Sequence, residues 1–169
     1  MDKTVLIAYA SKYGATASIA EKIGEVLRQE GLKVEVLQAR RISDLNTYGA
    51  VVIGSGVYIG QWLKEAAALL QDNEQVLSQR PVWLFSDGPT GEGDPSALTQ
   101  GFRFPEKLKP VADRIQPRDM ALFHGMIDPK KISFIEKMAI KAVKAPTGDF
   151  RDWTAITAWA KAIADALKK

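Results

Sequence analysis

Three short runs in the chain are apolar at every position: Val5-Leu6-Ile7-Ala8, Ala50-Val51-Val52-Ile53 and Val82-Trp83-Leu84-Phe85. A strand with one wet face alternates; a strand with no polar position must be covered on both faces, as in the middle of a parallel sheet under helices. The segments between support that reading. Thr16 to Gln29 carries Ile19, Ile23, Val26 and Leu27 at helical spacing, and Gly31 stops it. Lys33 to Leu37 alternates as a half-exposed strand, Trp62 to Leu70 reads as a helix, and Glu74 to Leu77 follows it. Glu106 to Ile115 is a further helix and Met120 to Phe123 a fifth strand. Alternation of this kind over 169 residues predicts a doubly wound α/β domain spanning residues 1–169, with five parallel strands. Two helices close the chain: Lys130 to Lys144, and Asp152 to Leu167 with Trp153, Ile156, Trp159, Ala160, Ile163 and Leu167 as its core stripe.

Composition removes several chemistries. The chain has no cysteine, so disulfides, thiolate nucleophiles, iron–sulfur clusters and cysteine zinc sites are excluded, and a single histidine argues against a histidine metal centre. No apolar stretch approaches the roughly 20 residues that span a bilayer, and the N-terminus does not read as a signal peptide. The cytoplasm is the expected compartment, with attachment to the inner face of the membrane as a variant of it. A net charge of +3 favours anionic partners but falls well short of a nucleic-acid footprint, so no nucleic acid is expected.

In doubly wound sheets, ligands bind beyond the carboxyl ends of the strands. Here three strands run into polar, glycine-rich stretches at that end: Ser11–Thr16, Gly54–Gly60 and Ser86–Gly93. The first, Ser11-Lys12-Tyr13-Gly14-Ala15-Thr16, lies between a strand and a helix, where unpaired backbone N–H groups and the helix dipole suit a phosphate monoester. An ordinary helix cap by Ser11 or Thr16 explains it equally well. Competing motifs fail. There is no GxxxxGK[ST], and Gly54-x-Gly56-x-x-x-Gly60 is one residue too long for the dinucleotide fingerprint. The third strand ends in Gly54-Ser55 where a phosphoacceptor domain needs an aspartate.

The strand followed by Tyr9-Ala10-Ser11-Lys12-Tyr13-Gly14-Ala15-Thr16 resembles the phosphate loop of flavodoxin-like proteins. Gly54 to Trp62 falls where that family's second flavin loop belongs, and Ser86 to Gly91 where its third belongs. The resemblance implies a sheet of strand order 2-1-3-4-5 and an FMN cofactor. It places the phosphate on Ser11, Thr16 and the backbone of Lys12, Tyr13, Gly14 and Ala15, with Lys12 as a direct charge or a solvated bystander. It runs Ser55, Gly56, Val57, Tyr58, Ile59 and Gly60 along the isoalloxazine, with Tyr58 and Trp62 as candidate aromatic flanks; a Trp62 that opens a helix packed on the sheet is the equal alternative. Ser86, Asp87, Gly88, Pro89, Thr90 and Gly91 would border the ring's far edges.

A narrower resemblance is to the menaquinone-dependent protoporphyrinogen oxidase family. It is carried by Gly54-Ser55 with Tyr58-x-Gly60, by the helix from Phe134 to Lys144, and by Gly148-Asp149-Phe150-Arg151-Asp152-Trp153. It implies electron transfer between a tetrapyrrole and a quinone. A flavodoxin-type electron carrier, an NAD(P)H-dependent quinone reductase and a domain that has lost its flavin remain alternatives. The basic charge and the additional helix before the last one both depart from the acidic shuttle flavodoxins. In that helix Lys130, Lys137, Lys141 and Lys144 share one face, while Ile132, Ile135, Met138, Ala139, Ala142 and Val143 make an apolar one. The pattern suits a membrane surface or a lid over a lipophilic substrate. On pattern alone, it suits better a surface helix whose apolar face is docked on the sheet. His124, at the end of the fifth strand, is a candidate catalytic proton donor or acceptor, or else a structural residue. Asp149 and Asp152 are candidate caps for the last helix, Asp152 the stronger.

Overall fold

The computed structural model describes residues 3–169. In chain order the elements are β1 Val5–Ala10, α1 Ala15–Gln29, β2 Val34–Gln38, β3 Ala50–Tyr58, β4 Gln61–Trp62, α2 Lys64–Asp72 and α3 Glu74–Leu77. Then come β5 Val82–Asp87, α4 Pro95–Leu98, α5 Lys109–Ile115, β6 Asp119–Phe123, β7 Met126–Ile127, α6 Phe134–Ala142, β8 Gly148–Asp149 and α7 Trp153–Lys168. The parallel strands lie in the order β2-β1-β3-β5-β6, which is the expected 2-1-3-4-5 arrangement.

Successive side chains of the central strands point to opposite faces, so each strand feeds two cores. Leu6, Val51, Ile53 and Leu84 pack under α2, α3 and α5 with Leu70, Leu77 and Val111. Val5, Ile7, Val52, Trp83 and Phe85 pack under α1 and α7 with Ile19, Ile23, Ile156 and Ile163. This two-sided burial is what unbroken apolar strands require.

Two strands are longer than their apolar runs. β3 does not end at Ile53; Gly54 and Ser55 continue it, paired with Tyr9 and Ala10 on one side and Phe85 and Ser86 on the other. β5 likewise runs through Ser86 and Asp87, which stand beside Ser55 and Gly56. Ladder hydrogen bonds from both neighbours hold a glycine-rich segment that its own propensity would leave irregular. A short antiparallel strand is added to the sheet as well. β4 folds back on β3, with Val57 opposite Trp62 and Tyr58 opposite Gln61, so Trp62 belongs to a hairpin and not to the helix start. The turn between them, Ile59-Gly60, has φ of 50° and 70°. This is the primed geometry that matches strand twist, and it usually takes Asn-Gly.

Other boundaries shift for local reasons. The segment from Glu106 begins as a 3-10 turn to Leu108 and becomes α5 only at Lys109, because Pro110 has no N–H to extend an α-helix backwards. Within the long loop after β5, Asp94 accepts from the Ser96 N–H at 3.0 Å and starts α4 with Pro95 at its first position. Asp152 caps α7, accepting from the Ala155 N–H at 3.0 Å. Asp149 does not cap it; it lies in β8, which pairs with β7 as a separate ribbon.

Gly54 marks the tightest point of the sheet. A Cβ built there would lie 2.0 Å from the ring of Phe85, which is 1% exposed. Gly54→Ala therefore forces a buried aromatic off its rotamer and should lower the unfolding free energy by about 2 kcal/mol. Urea denaturation measures this, with Gly31→Ala, which strains the backbone but meets no atom within 4 Å, separating crowding from conformational effects.

Candidate functional site

At the carboxyl edge of the sheet, β1 hands over to α1 through Ser11–Gly14. Gly14 is the N-terminal cap residue, at φ 99°, a left-handed conformation that an L side chain resists. Among the described residues, no side chain caps α1. Neither Ser11 nor Thr16 plays that part: the Ser11 Oγ accepts from the Gly14 N–H at 3.0 Å, one residue before the helix, and the Thr16 hydroxyl points elsewhere. With no acidic residue in the first turn, the helix end keeps its positive pole for a ligand.

The side-chain donors of this loop are held by two carboxylates. Glu136, from α6, accepts from the Tyr13 hydroxyl and pairs with the Lys12 ammonium at 3.3 Å. The Lys12 Nζ also sits 5.3 Å from the Tyr13 ring centre and 5.6 Å from that of Tyr58. Donation by Tyr13, then by Ser133 and Lys12, holds the pKa of the Glu136 carboxyl down at about 2. The second carboxylate is Asp87, 3% exposed, which accepts from Thr16 Oγ1 at 2.5 Å. Burial pushes its pKa up to about 7 against the opposing Thr16 hydrogen bond and the charge of Arg151. Gly56 lies close against this contact: a Cβ there would stand 3.2 Å from Thr16 Oγ1 and 3.1 Å from the Tyr58 ring, so a neighbour would have to give by a few tenths of an ångström. Tyr58 is half-buried, and its acidity is weakened by burial and then by Asp87.

The second and third loops come to the same edge. Of their expected ligand residues, Ser55 and Ser86 are 0% exposed and committed to structure. Ser55 Oγ donates to the Gly56 carbonyl at 2.8 Å and accepts from the Leu63 N–H at 2.9 Å, tying down the hairpin and the approach to α2. Ser86 Oγ accepts from the Trp62 indole N–H at 2.8 Å. That bond, with the edge contact of Trp62 on Phe104 at 5.2 Å, places Trp62 in the core; it does not flank a ring in the site. Asp87 too belongs to a strand. The true third loop starts at Gly88, whose N–H donates to the Phe123 carbonyl, and the Gly125 N–H donates to Pro89. Gly125 fits because it has no side chain: a Cβ would fall 2.8 Å from the Gly88 carbonyl oxygen. Val57 is half-buried, and Ile59 and Gly60 form the exposed tip of the hairpin.

Two buried polar atoms here have no partner among the described residues: Thr90 Oγ1 in the third loop and His124 Nε2 just beyond β6. A group with hydrogen-bonding edges is what such atoms require. Together with the uncapped start of α1 and the side-chain-free positions at Gly14 and Gly56, they fit a phosphate-bearing flavin. The residues that would hold it are the backbone from Lys12 to Thr16, the Ser11 and Thr16 hydroxyls, the hairpin at Tyr58–Gly60, and Gly88–Gly91 with Thr90.

α6 is shorter than its sequence pattern, since Ser133 and Glu136 form a reciprocal capping box and Lys144 leaves the helix at φ 56°. None of its residues is buried. Phe134, Ile135, Met138 and Val143 are 75%, 78%, 58% and 75% exposed, so its apolar face is not docked on the sheet. Beside it Pro129, Ile132, Met138 and Ala145, with Lys137, Lys141 and Lys144, line a concavity of about 470 Å³. Neighbouring Pro146 lies beside the third loop: a Cβ built at Gly91 would stand 3.5 Å from its ring. Among the described residues there is no group of histidine and acidic side chains able to hold a metal, and no helix is long and apolar enough to cross a membrane.

The flavodoxin domain family matches residues 6–154 of the chain. No curated protein matches it. A flavodoxin from the domain Archaea superposes with a TM-score of 0.63 at 13% identity over 98% of this chain and 99% of that one. A single-site mutant of the Pseudomonas aeruginosa flavodoxin gives 0.60 at 15% over 98% and 99%. Rubredoxin oxygen:oxidoreductase from Desulfovibrio gigas gives 0.64 at 18%, and the chain, 98% covered, spans 36% of that protein. These likenesses establish the fold.

Glu136 is the link between α6 and the phosphate-loop side chains. Its carboxyl is depressed from 4.5 to about 2, so its contribution is complete above the unfolded value and is lost only as pH falls through the folded one. At neutral pH the contact is therefore intact. Glu136→Ala should free α6, raising amide hydrogen exchange across Phe134–Ala142 while exchange in β1, β3 and β5 stays unchanged. Equal protection of α6 in both proteins would show that the helix is held by something else.

Proposed function

The chain belongs to the flavodoxin domain family, and we propose that it oxidises a porphyrinogen and reduces a quinone, as a protoporphyrinogen IX dehydrogenase. The cofactor is FMN, which supplies two-electron chemistry between an organic donor and acceptor. Two electrons and two protons leave the porphyrinogen for each quinone reduced to quinol, so no further reductant is needed. The chain's own part is to orient the ring between the Tyr58–Gly60 hairpin and Gly88–Gly91, and to anchor the phosphate at the start of α1. In this reading His124, just beyond β6, is the proton donor or acceptor of the dehydrogenation.

The observation that carries this reading is α6. Four large apolar side chains stand in solvent beside Lys137, Lys141 and Lys144, none of which is in an ion pair among the described residues. Ile59, at the tip of the hairpin, is 99% exposed. An apolar, cationic rim around a flavin edge suits a lipophilic quinone and a carboxylate-bearing tetrapyrrole, and it suits the anionic membrane surface where a quinone resides. A second reading, a flavodoxin-type electron carrier, is favoured by the end-to-end match with two flavodoxins of nearly the same length.

The purified protein should take up FMN and show flavin absorption in the visible; a chain that binds none would end both readings. Anaerobic turnover of protoporphyrinogen with a menaquinone analogue should then exceed turnover of NAD(P)H with the same quinone. The reverse preference would make it a pyridine-nucleotide quinone reductase, and reaction with protein partners alone would make it a carrier. Vesicles containing anionic lipid should co-sediment with the protein, and Phe134→Ser with Ile135→Ser should abolish most of that binding without changing Tm, because both side chains are already exposed.

A further inference from the structure

We propose that the phosphate of FMN enters the Ser11–Thr16 cradle only together with a proton, which is taken up by the carboxyl group of Asp87. The inference rests on the reading that the phosphate sits at that cradle.

The argument is one of proton bookkeeping. Thr16 has a single hydroxyl proton, and at 2.5 Å it is committed to Asp87 Oδ1. Thr16 is 2% exposed and Asp87 3%, so bulk water does not compete for this contact. A phosphate dianion only accepts hydrogen bonds, and a hydroxyl whose proton is spent on a carboxylate can offer it only a lone pair. Leaving Asp87 ionised thus sets two acceptors against one proton in a buried place. A proton on Asp87 resolves the conflict. The acid then donates its own O–H to Thr16 Oγ1, the Thr16 proton turns to a phosphate oxygen, and no heavy-atom bond forms or breaks. At a pH above the pKa of that carboxyl, one proton leaves solvent for each phosphate bound.

The charges around Asp87 agree with this direction. Arg151, from the segment before α7, is the cation acting on it, but it is already paired with Asp149 at 2.8 Å. Tyr58 faces it from β3 with a neutral hydroxyl. Across the loop the Lys12 ammonium is offset by Glu136 at 3.3 Å, so those two side chains bring no net positive charge to the cradle. Burial already raises the Asp87 pKa to about 7 before any ligand arrives, and an incoming dianion raises it further. The proton is accordingly available near neutrality.

The test is the affinity for FMN and for riboflavin, which lacks the phosphate, by quenching of flavin fluorescence from pH 7 to pH 9 at constant ionic strength. This window lies above the second ionisation of a phosphate monoester, about pH 6. Kd for FMN should rise about tenfold per pH unit toward the top of the range while that for riboflavin stays level. Calorimetry in buffers of different ionisation enthalpy should find close to one proton taken up per FMN at pH 8 and none per riboflavin. Asp87→Asn, whose amide donates to Thr16 without titrating, should bind FMN with a level pH profile. A level FMN profile in the unaltered protein, or no proton uptake there, overturns the proposal without recourse to any variant. The same slope in Asp87→Asn overturns it as well. FMN bound no tighter than riboflavin at any pH removes the phosphate from the cradle, and the underlying reading fails separately.

Discussion

The hydrogen bond from Thr16 to Asp87 ties the first turn of α1 to the end of β5, across the intervening strand β3. β3 presents Gly56 at the crossing point, where a side chain would crowd Thr16 and Tyr58. Three segments far apart in sequence thus meet at one buried polar contact, and the three glycine-rich stretches hang from it. The cradle at α1 is fixed on one side, the hairpin of β3 and β4 above it, and the third loop leaves β5 one residue later. Below this point the sheet is apolar and its geometry is set by packing. Above it, backbone direction is set by hydrogen bonds.

Much of this was legible in residues. Unbroken apolar runs at Val5–Ala8, Ala50–Ile53 and Val82–Phe85 could be satisfied only by a sheet covered on both faces. The positions of the polar stretches after them fixed the ligand edge. What could not be read was where strand gives way to loop. Gly54-Ser55-Gly56 and Ser86-Asp87 have loop composition, yet neighbours on both sides supply ladders that their own propensities do not predict. Ser55, Ser86 and Trp62 were drawn toward the ligand by their place in the sequence, but each is fastened inside by a partner many residues away. Periodicity showed that α6 was amphipathic; it could not show which face met the domain. That was decided by Glu136, the residue that a hydrophobic-stripe reading passes over.

The two carboxylates near the cradle differ in kind. Asp87 is enclosed by strands and can respond to a new anion only by changing its protonation. Glu136 is carried on a helix with no buried residue and reaches Lys12 and Tyr13 from outside the sheet. A cofactor arriving at α1 therefore meets one acidic group built into the sheet and one that is not.

The turn at Ile59-Gly60 has a consequence for how the domain has been tuned. A β-branched residue at φ 50° is held against its conformational preference, and at 99% exposure its side chain recovers nothing from packing. Asparagine in that place would relieve the strain and fasten the hairpin more firmly. The isoleucine thus contributes nothing to the stability of the fold that carries it, and an improvement in heat tolerance lies within reach of a single codon change.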